Sequence, residues 1–316
     1  MKSVTRSLGL VLSLSALLTA CGGGGSQIEP FKPQRMIVLG DEHSALLPDG
    51  RKYTVNGLSA DTDTPPAARK CDLNPIWVQS VASAFGIVFK ECNPTNASTT
   101  AGIMYAAKGA RVAEVTQQID THLKTSDFRK TDLVTLMVGA NDVLELYAQY
   151  PAKSVDTLLA EAGDRGARAA EQVNRVARAG GRVLITTIPD MGFSPFGVNE
   201  KANKTDIDRA KLLNDLSIKF NAKLRLNLID DGHLIALVLA DERLYRNFTV
   251  PAYTAGMNIS QAACLSTVDV LDCTSKTLVS GATTATWLWA TDTAWGPTMH
   301  SVVGAEAATK AVNQPF

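Results

Sequence analysis

The chain has 316 residues, 45% of them hydrophobic, and its 31 Lys and Arg balance 31 Asp and Glu. That length and apolar content suffice for a large buried core. Zero net charge, few aromatics and no basic run exclude an electrostatic footprint for nucleic acid and long-range steering of a charged partner. No internal repeat of fixed period occurs.

At the N-terminus Lys2 and Arg6 precede "LGLVLSLSALLTA", an apolar run too short to span a bilayer as a helix. It ends in Leu18-Thr19-Ala20-Cys21, which resembles a bacterial lipobox, in which the cysteine thiolate takes the lipid and becomes the first residue. Residues 1–20 are therefore expected to be a lipoprotein signal peptide, 21–30 the lipidated Cys21 with a Gly-rich tether, and 31–316 a single domain. Gly22 rather than Asp after the cysteine favours the outer membrane of a bacterial envelope, with the lipid anchor making the membrane contact.

Next, "RMIVLGD" reads as a buried strand ending in a loop. "NPIWVQSVASAFG" predicts a helix with Pro75 in its first turn and Gly86 as its stop. In "ARVAEVTQQIDTHLK", Val112, Val115, Ile119 and Leu123 share one helical face. "DLVTLMVGAND" is a second strand, and Ser154 to Arg178 a helical stretch stopped by Gly180-Gly181. "RVLITTIPDMG" is a third strand, followed by a long helix carrying Leu213, Leu216, Phe220 and Leu224 in one stripe. Leu234 to Asp241 is a fourth strand, and a closing helix runs from about Pro297 to Ala311. Continuous Val/Ile/Leu strands alternating with amphipathic helices predict an α/β fold, a mostly parallel sheet covered on both faces. Such sheets place their sites at the C-terminal ends of strands, where "GDEHS", "GAND" and "PDMG" stand.

Beyond Cys21 the chain holds Cys71, Cys92, Cys264 and Cys273. An even count in an exported chain reads as two disulfides. Sequence order suggests Cys71–Cys92 and Cys264–Cys273, with the other two pairings open. Neither a metal spacing nor a phosphate-binding glycine loop is present, so no metal and no cofactor is implied.

"VLGDEHSALL", "AAKGARV", "VGANDV", "TTIPDMGFSP" and the ending "WLWATDTAWGPTMHSVVGAEAATKAVNQPF" resemble, in order, the blocks of the GDSL esterases, or SGNH hydrolases. The resemblance covers nearly all of the mature chain and implies a three-layer α/β/α sandwich. It also implies acyl transfer through a first-block serine, a C-terminal His as base and an Asp three residues earlier. Gly109 and Asn141 match the family's oxyanion-hole glycine and asparagine. The triad does not match. Glu42 stands at the nucleophile position, with Ser44 two residues on. Laid ungapped on "WATDTAWGPTMH", the Asp and His positions fall on Thr291 and Ala294. Asp292 is one residue late, and shifting the register to restore it puts Trp295 at the base. Three substitutions at chemical positions, with the scaffold blocks kept, point to a pseudoenzyme that uses the old acyl or glycan cleft for binding or serves as a scaffold.

Two alternatives stay open. One is an active ester hydrolase in which Glu42 or His43 activates water before the Gly109/Asn141 oxyanion hole; donors that favour an anion work against Glu42 as a general base. The other keeps serine chemistry, with Ser44 and a displaced base such as His300. Glu42 itself is expected to fill the oxyanion hole with its carboxylate, the bland alternative being a side chain in solvent. Asp41 and Asp142 are expected to bond loop N–H groups. Of the other histidines, His122 and His233 are expected on the surface, and His300 bonded within its helix or to solvent. Trp287 and Trp289 are expected in the core and Trp295 along the cleft.

Overall fold

The computed structural model describes residues 30–60, 69–314 and 316. The expected signal peptide, Cys21 and most of the tether lie outside them. Strand β1 (Arg35–Gly40) leads to a short antiparallel pair, β2 (Gly57–Leu58) with β3 (Arg69–Lys70). Then come α1 (Trp77–Ala84), β4 (Gly102–Met104), α2 (Val112–Leu123), β5 (Asp132–Met137), α3 (Ala140–Tyr147) and α4 (Val155–Arg178). The second half holds β6 (Arg182–Thr186), α5 (Pro195–Asn203), α6 (Arg209–Asn227), β7 (Ile235–Val238), α7 (Ala240–Thr249) and α8 (Pro251–Thr254). It ends with β8 (Asn258–Ala262), β9 (Trp287–Trp289) and α9 (Pro297–Asn313).

Five strands form the central sheet in the order β4-β1-β5-β6-β7, every pairing parallel. Period-two alternation explains the layers. Ile37, Leu39, Val134, Leu136, Val183 and Ile185 join the buried stripes of α2, α3, α4 and α6 on one face. Met36, Val38, Leu133, Met137 and Leu184 meet α1, α7 and α9 on the other. The result is the α/β/α sandwich expected, with continuous apolar strands because both faces are covered.

The differences from sequence expectation are local. The sheet gains a fifth, edge strand, β4, whose three residues are too few to show alternation. "GAND", expected as a loop, opens helix α3. Leu123, placed on the buried stripe of α2, is exposed at the helix end. Pro75 stands just before the Ile76 cap of α1 rather than in its first turn. Both disulfides follow sequence order, Cys71–Cys92 and Cys264–Cys273. Beside the first, the buried Lys52 Nζ donates to the carbonyls of Cys71, Leu73 and Asn74 at 2.9, 2.6 and 2.9 Å. Three acceptors match the three protons of an ammonium, while burial pulls the group down to about 7.

Candidate active site

The site begins where β1 stops. Gly40 has φ +126°, and a Cβ there would run into the Met137 carbonyl oxygen of β5, so only glycine fits. Gln118 of α2 holds Gly40 at both its N–H and its carbonyl, accepting from Gly40 N at 2.8 Å and donating to Gly40 O at 2.9 Å. Asp41 then caps a single 3-10 turn, Glu42–Ser44, with Oδ1 accepting from His43 N at 3.0 Å. That turn sends three adjacent side chains to three different environments.

Glu42 turns toward the neighbouring loops. Its Oε2 accepts from Gly109 N at 2.9 Å and from Asn141 Nδ2 at 2.9 Å. Ser44 is fully buried, and its Oγ accepts from Trp77 Nε1 at 3.1 Å. His43 points inward, with Nδ1 3.0 Å from Asp41 Oδ1 and Nε2 3.2 Å from the Thr293 carbonyl. Two acceptors facing the two ring nitrogens suit the doubly protonated ring. Burial opposes that charge, but the Asp41 carboxylate, with Glu42 and the Thr293 carbonyl, outweighs it and raises His43 to about 9.

Both donors to Glu42 are fixed by the third block. Gly109, at φ +73°, presents its N–H from the loop before α2. Asn141 stands in the first turn of α3, and its Nδ2 also donates to Ala110 O at 3.2 Å. Asp142 Oδ2 accepts from Val112 N at 3.1 Å at the start of α2, and Asp142 Oδ1 meets Arg165 Nη1 at 3.3 Å. Burial raises Asp142 to about 6, against the opposing Val112 N–H and Arg165. The "GAND" residues thus fasten the Gly109 loop as well as supplying one donor. Two donors converging at 2.9 Å on one anionic oxygen form the arrangement that holds an oxyanion in acyl transfer.

The C-terminal loop offers no base. Ala294 is buried, its N–H donates to Thr291 Oγ1 at 3.1 Å, and its carbonyl accepts from Ala290 N and Thr291 N. Asp292 is exposed, and its backbone carbonyl accepts from Phe196 N. Trp295, expected along the cleft, is fully buried, its ring centroid 5.0 Å from that of His43. Trp289 is core as expected, while Trp287 is only partly buried. His300 is neither solvated nor bonded within α9. It is buried, its Nδ1 accepts from Trp77 N of α1 at 3.4 Å, and burial drives it well below the ordinary histidine range. His122 is also buried, against Phe128 and Tyr105, because the face of α2 that meets β1 extends past the apolar stripe.

Sequence reasoning missed Tyr53, Lys108 and Thr293. Burial and the nearby Glu42 charge raise Tyr53, and Lys108 Nζ lies 5.9 Å from its ring centroid. Tyr53 lies in no quoted block, while Lys108 in "AAKGARV" and Thr293 in "WATDTAW" sit inside family blocks but at positions that carry no chemistry there.

The sequence profile of the GDSL-like lipase/acylhydrolases matches residues 38–263. The chain belongs to that family. The matched range takes in Glu42, Gly109 and Asn141 and stops before the Thr291–Ala294 loop. A comparison with curated proteins gave no match. Similar solved structures include a member of the lipolytic G-D-S-L family from Veillonella parvula, 12% identical, covering 87% of this chain and 96% of its own, with TM-score 0.44. Another is the acetylxylan esterase Axe2 from Geobacillus stearothermophilus, 12% identical, covering 89% and 94%, with TM-score 0.43. A third is an alpha/beta hydrolase from the metagenome of Lake Arreo, Spain, 14% identical, covering 89% and 97%, with TM-score 0.44.

Proposed function

We propose that this GDSL-fold chain is a pseudoenzyme without serine-esterase activity, a lipoprotein of the bacterial envelope anchored through Cys21, in which the acyl-transfer site serves binding or scaffolding. One observation carries the reading: Gly109 N and Asn141 Nδ2 both donate to Glu42 Oε2, so the side chain at the nucleophile position occupies the anion cradle. Ser44 cannot replace the nucleophile while it is buried beneath Trp77. His43 cannot serve as a base while its Nε2 faces the Thr293 carbonyl and its charge persists to about pH 9. Membership in a hydrolase family favours the competing reading, ester hydrolysis with Gly109 and Asn141 as oxyanion hole. Fluorophosphonate labelling of the full-length chain separates the serine route: no adduct is expected, and an adduct on Ser44 overturns the proposal. Incorporation of labelled palmitate in a bacterial host, lost in Cys21→Ser, tests the anchor.

A further inference from the structure

Because every pairing in the central sheet is parallel, the N-terminal ends of its strands share one face, opposite the Glu42 cradle. Neighbouring segments on that face are tied together. Gln34 N donates to Thr131 O at 2.8 Å, joining the approach to β1 with the loop before β5. Arg35 binds into the same loop through Asp132, Ser126 Oγ and the Asp127 carbonyl. The turn before β6 packs there too: a Cβ added at Gly180 would stand 3.2 Å from Phe128 O.

Five cations stand on these adjoining segments: Lys32, Lys124, Arg129, Lys130 and Arg178. All are exposed, and none has an ion-pair partner among the described residues. Asp127 is the one exposed carboxylate among them, since Asp132 is buried against Arg35. Asp230 and Asp231 lie apart, before the edge strand β7. A chain with no net charge thus carries a local positive excess, with the exposed Leu123 beside it.

The course of the chain says what this patch meets. Phe31 packs against Phe85 and Phe316, at the C-terminal ends of α1 and α9, so Pro30 leaves the domain on this same face. From Cys21 to Pro30 the backbone reaches at most about 30 Å. A domain of this size is roughly 50 Å across. A lipid on Cys21 therefore keeps this face near the bilayer and the opposite face out of its reach. Each cation held at an anionic membrane surface strengthens the contact about fivefold, and a basic patch reinforces a lipid anchor. We propose that this basic face docks on anionic phospholipid headgroups, an inference that rests on the Cys21 anchor and that turns the Glu42 cradle away from the membrane. The six residues of β1 set the cradle about 20 Å farther out.

Lysine acetylation of the mature lipidated protein, purified from bacterial membranes and reconstituted, tests it. Rates are read by mass spectrometry in vesicles of phosphatidylglycerol with phosphatidylcholine and in vesicles of phosphatidylcholine alone. In the anionic vesicles Lys32, Lys124 and Lys130 should react about fivefold or more slowly relative to Lys201 and Lys276, which are exposed outside this face. Protection should vanish in the neutral vesicles and at about 1 M salt, where the screening length falls to about 3 Å. Arg129→Glu with Arg178→Glu, which removes no acetylated group, should abolish it. Equal rates in both vesicles, equal protection of Lys201 and Lys276, or unchanged protection in the double variant overturns the proposal. The recovered N-terminal peptide reports the anchor separately: lipid absent from Cys21 overturns both readings, whereas lipid present with equal rates overturns this one alone.

Discussion

The two sides of the site around Glu42 are built in opposite ways. On the side of β5 and α2 the donors remain in place, braced by Asp142 and Ala110 and occupied by Glu42. On the side of the C-terminal loop the base position is core: Ala294 is folded into its own turn, Trp295 is buried, and His43 arrives from the first block to bond the Thr293 carbonyl. A donor cradle can be kept by filling it with an anion. A base needs an open ring facing a nucleophile, and the buried Ala294 turn supplies no ring at the position the family blocks assign to it. One half is therefore replaceable surface chemistry and the other a structural element.

Four variants sharpen that contrast. Trp295→Ala should be the most damaging, about 3–5 kcal/mol by denaturant unfolding, because it empties a fully buried indole site. A loss under 1 kcal/mol would mean the loop is not core. Rebuilding the triad as Glu42→Ser with Thr291→Asp and Ala294→His should give no esterase activity and lower stability by about 1–3 kcal/mol, because a histidine overfills the Ala294 position. Recovered turnover would show an open base position.

His43→Gln should cost about 2 kcal/mol near pH 6.5, by stranding the buried Asp41 carboxylate, which burial already raises above the ordinary aspartate range. The sign with pH follows from a folded value raised from 6.5 to about 9: the stabilisation is complete below pH 6.5 and is lost as pH climbs through 9. The gap in melting temperature between wild type and variant should therefore narrow over that window. Lys52, shifted the other way, is present in both proteins and cancels in the difference. A constant gap would show that His43 is not charged. Glu42→Gln should be mildest, under about 1 kcal/mol at neutral pH, since the side chain is partly exposed and solvent screens it. A melting temperature equal to or above wild type would count against an anion in the cradle.

The layered sheet was legible because the strands are long apolar runs and the helices carry wide stripes; Gly40 and the strand-end motifs followed from topology. The family blocks located Gly109 and Asn141, and donors facing a new carboxylate suggested where Glu42 would go. Side-chain direction within "EHS" was not legible. It depends on Asp41 capping a 3-10 turn, which turns His43 inward and buries Ser44 under a tryptophan 33 residues away. The burial of His122 and His300 was equally hidden, because an isolated polar residue on a helix leaves no mark in apolar periodicity. Asp142 was expected to bond loop N–H groups, but its specific tie to Val112 needed the helix that "GAND" opens.

The most direct measurement is hydrolysis of short-chain p-nitrophenyl esters by the full-length protein beside its Asn141→Ala variant. Rates at buffer background in both are expected, because the cradle is filled and no base faces it among the described residues. A wild-type rate well above background that falls in the variant would show the oxyanion hole working in turnover, and would contradict the account.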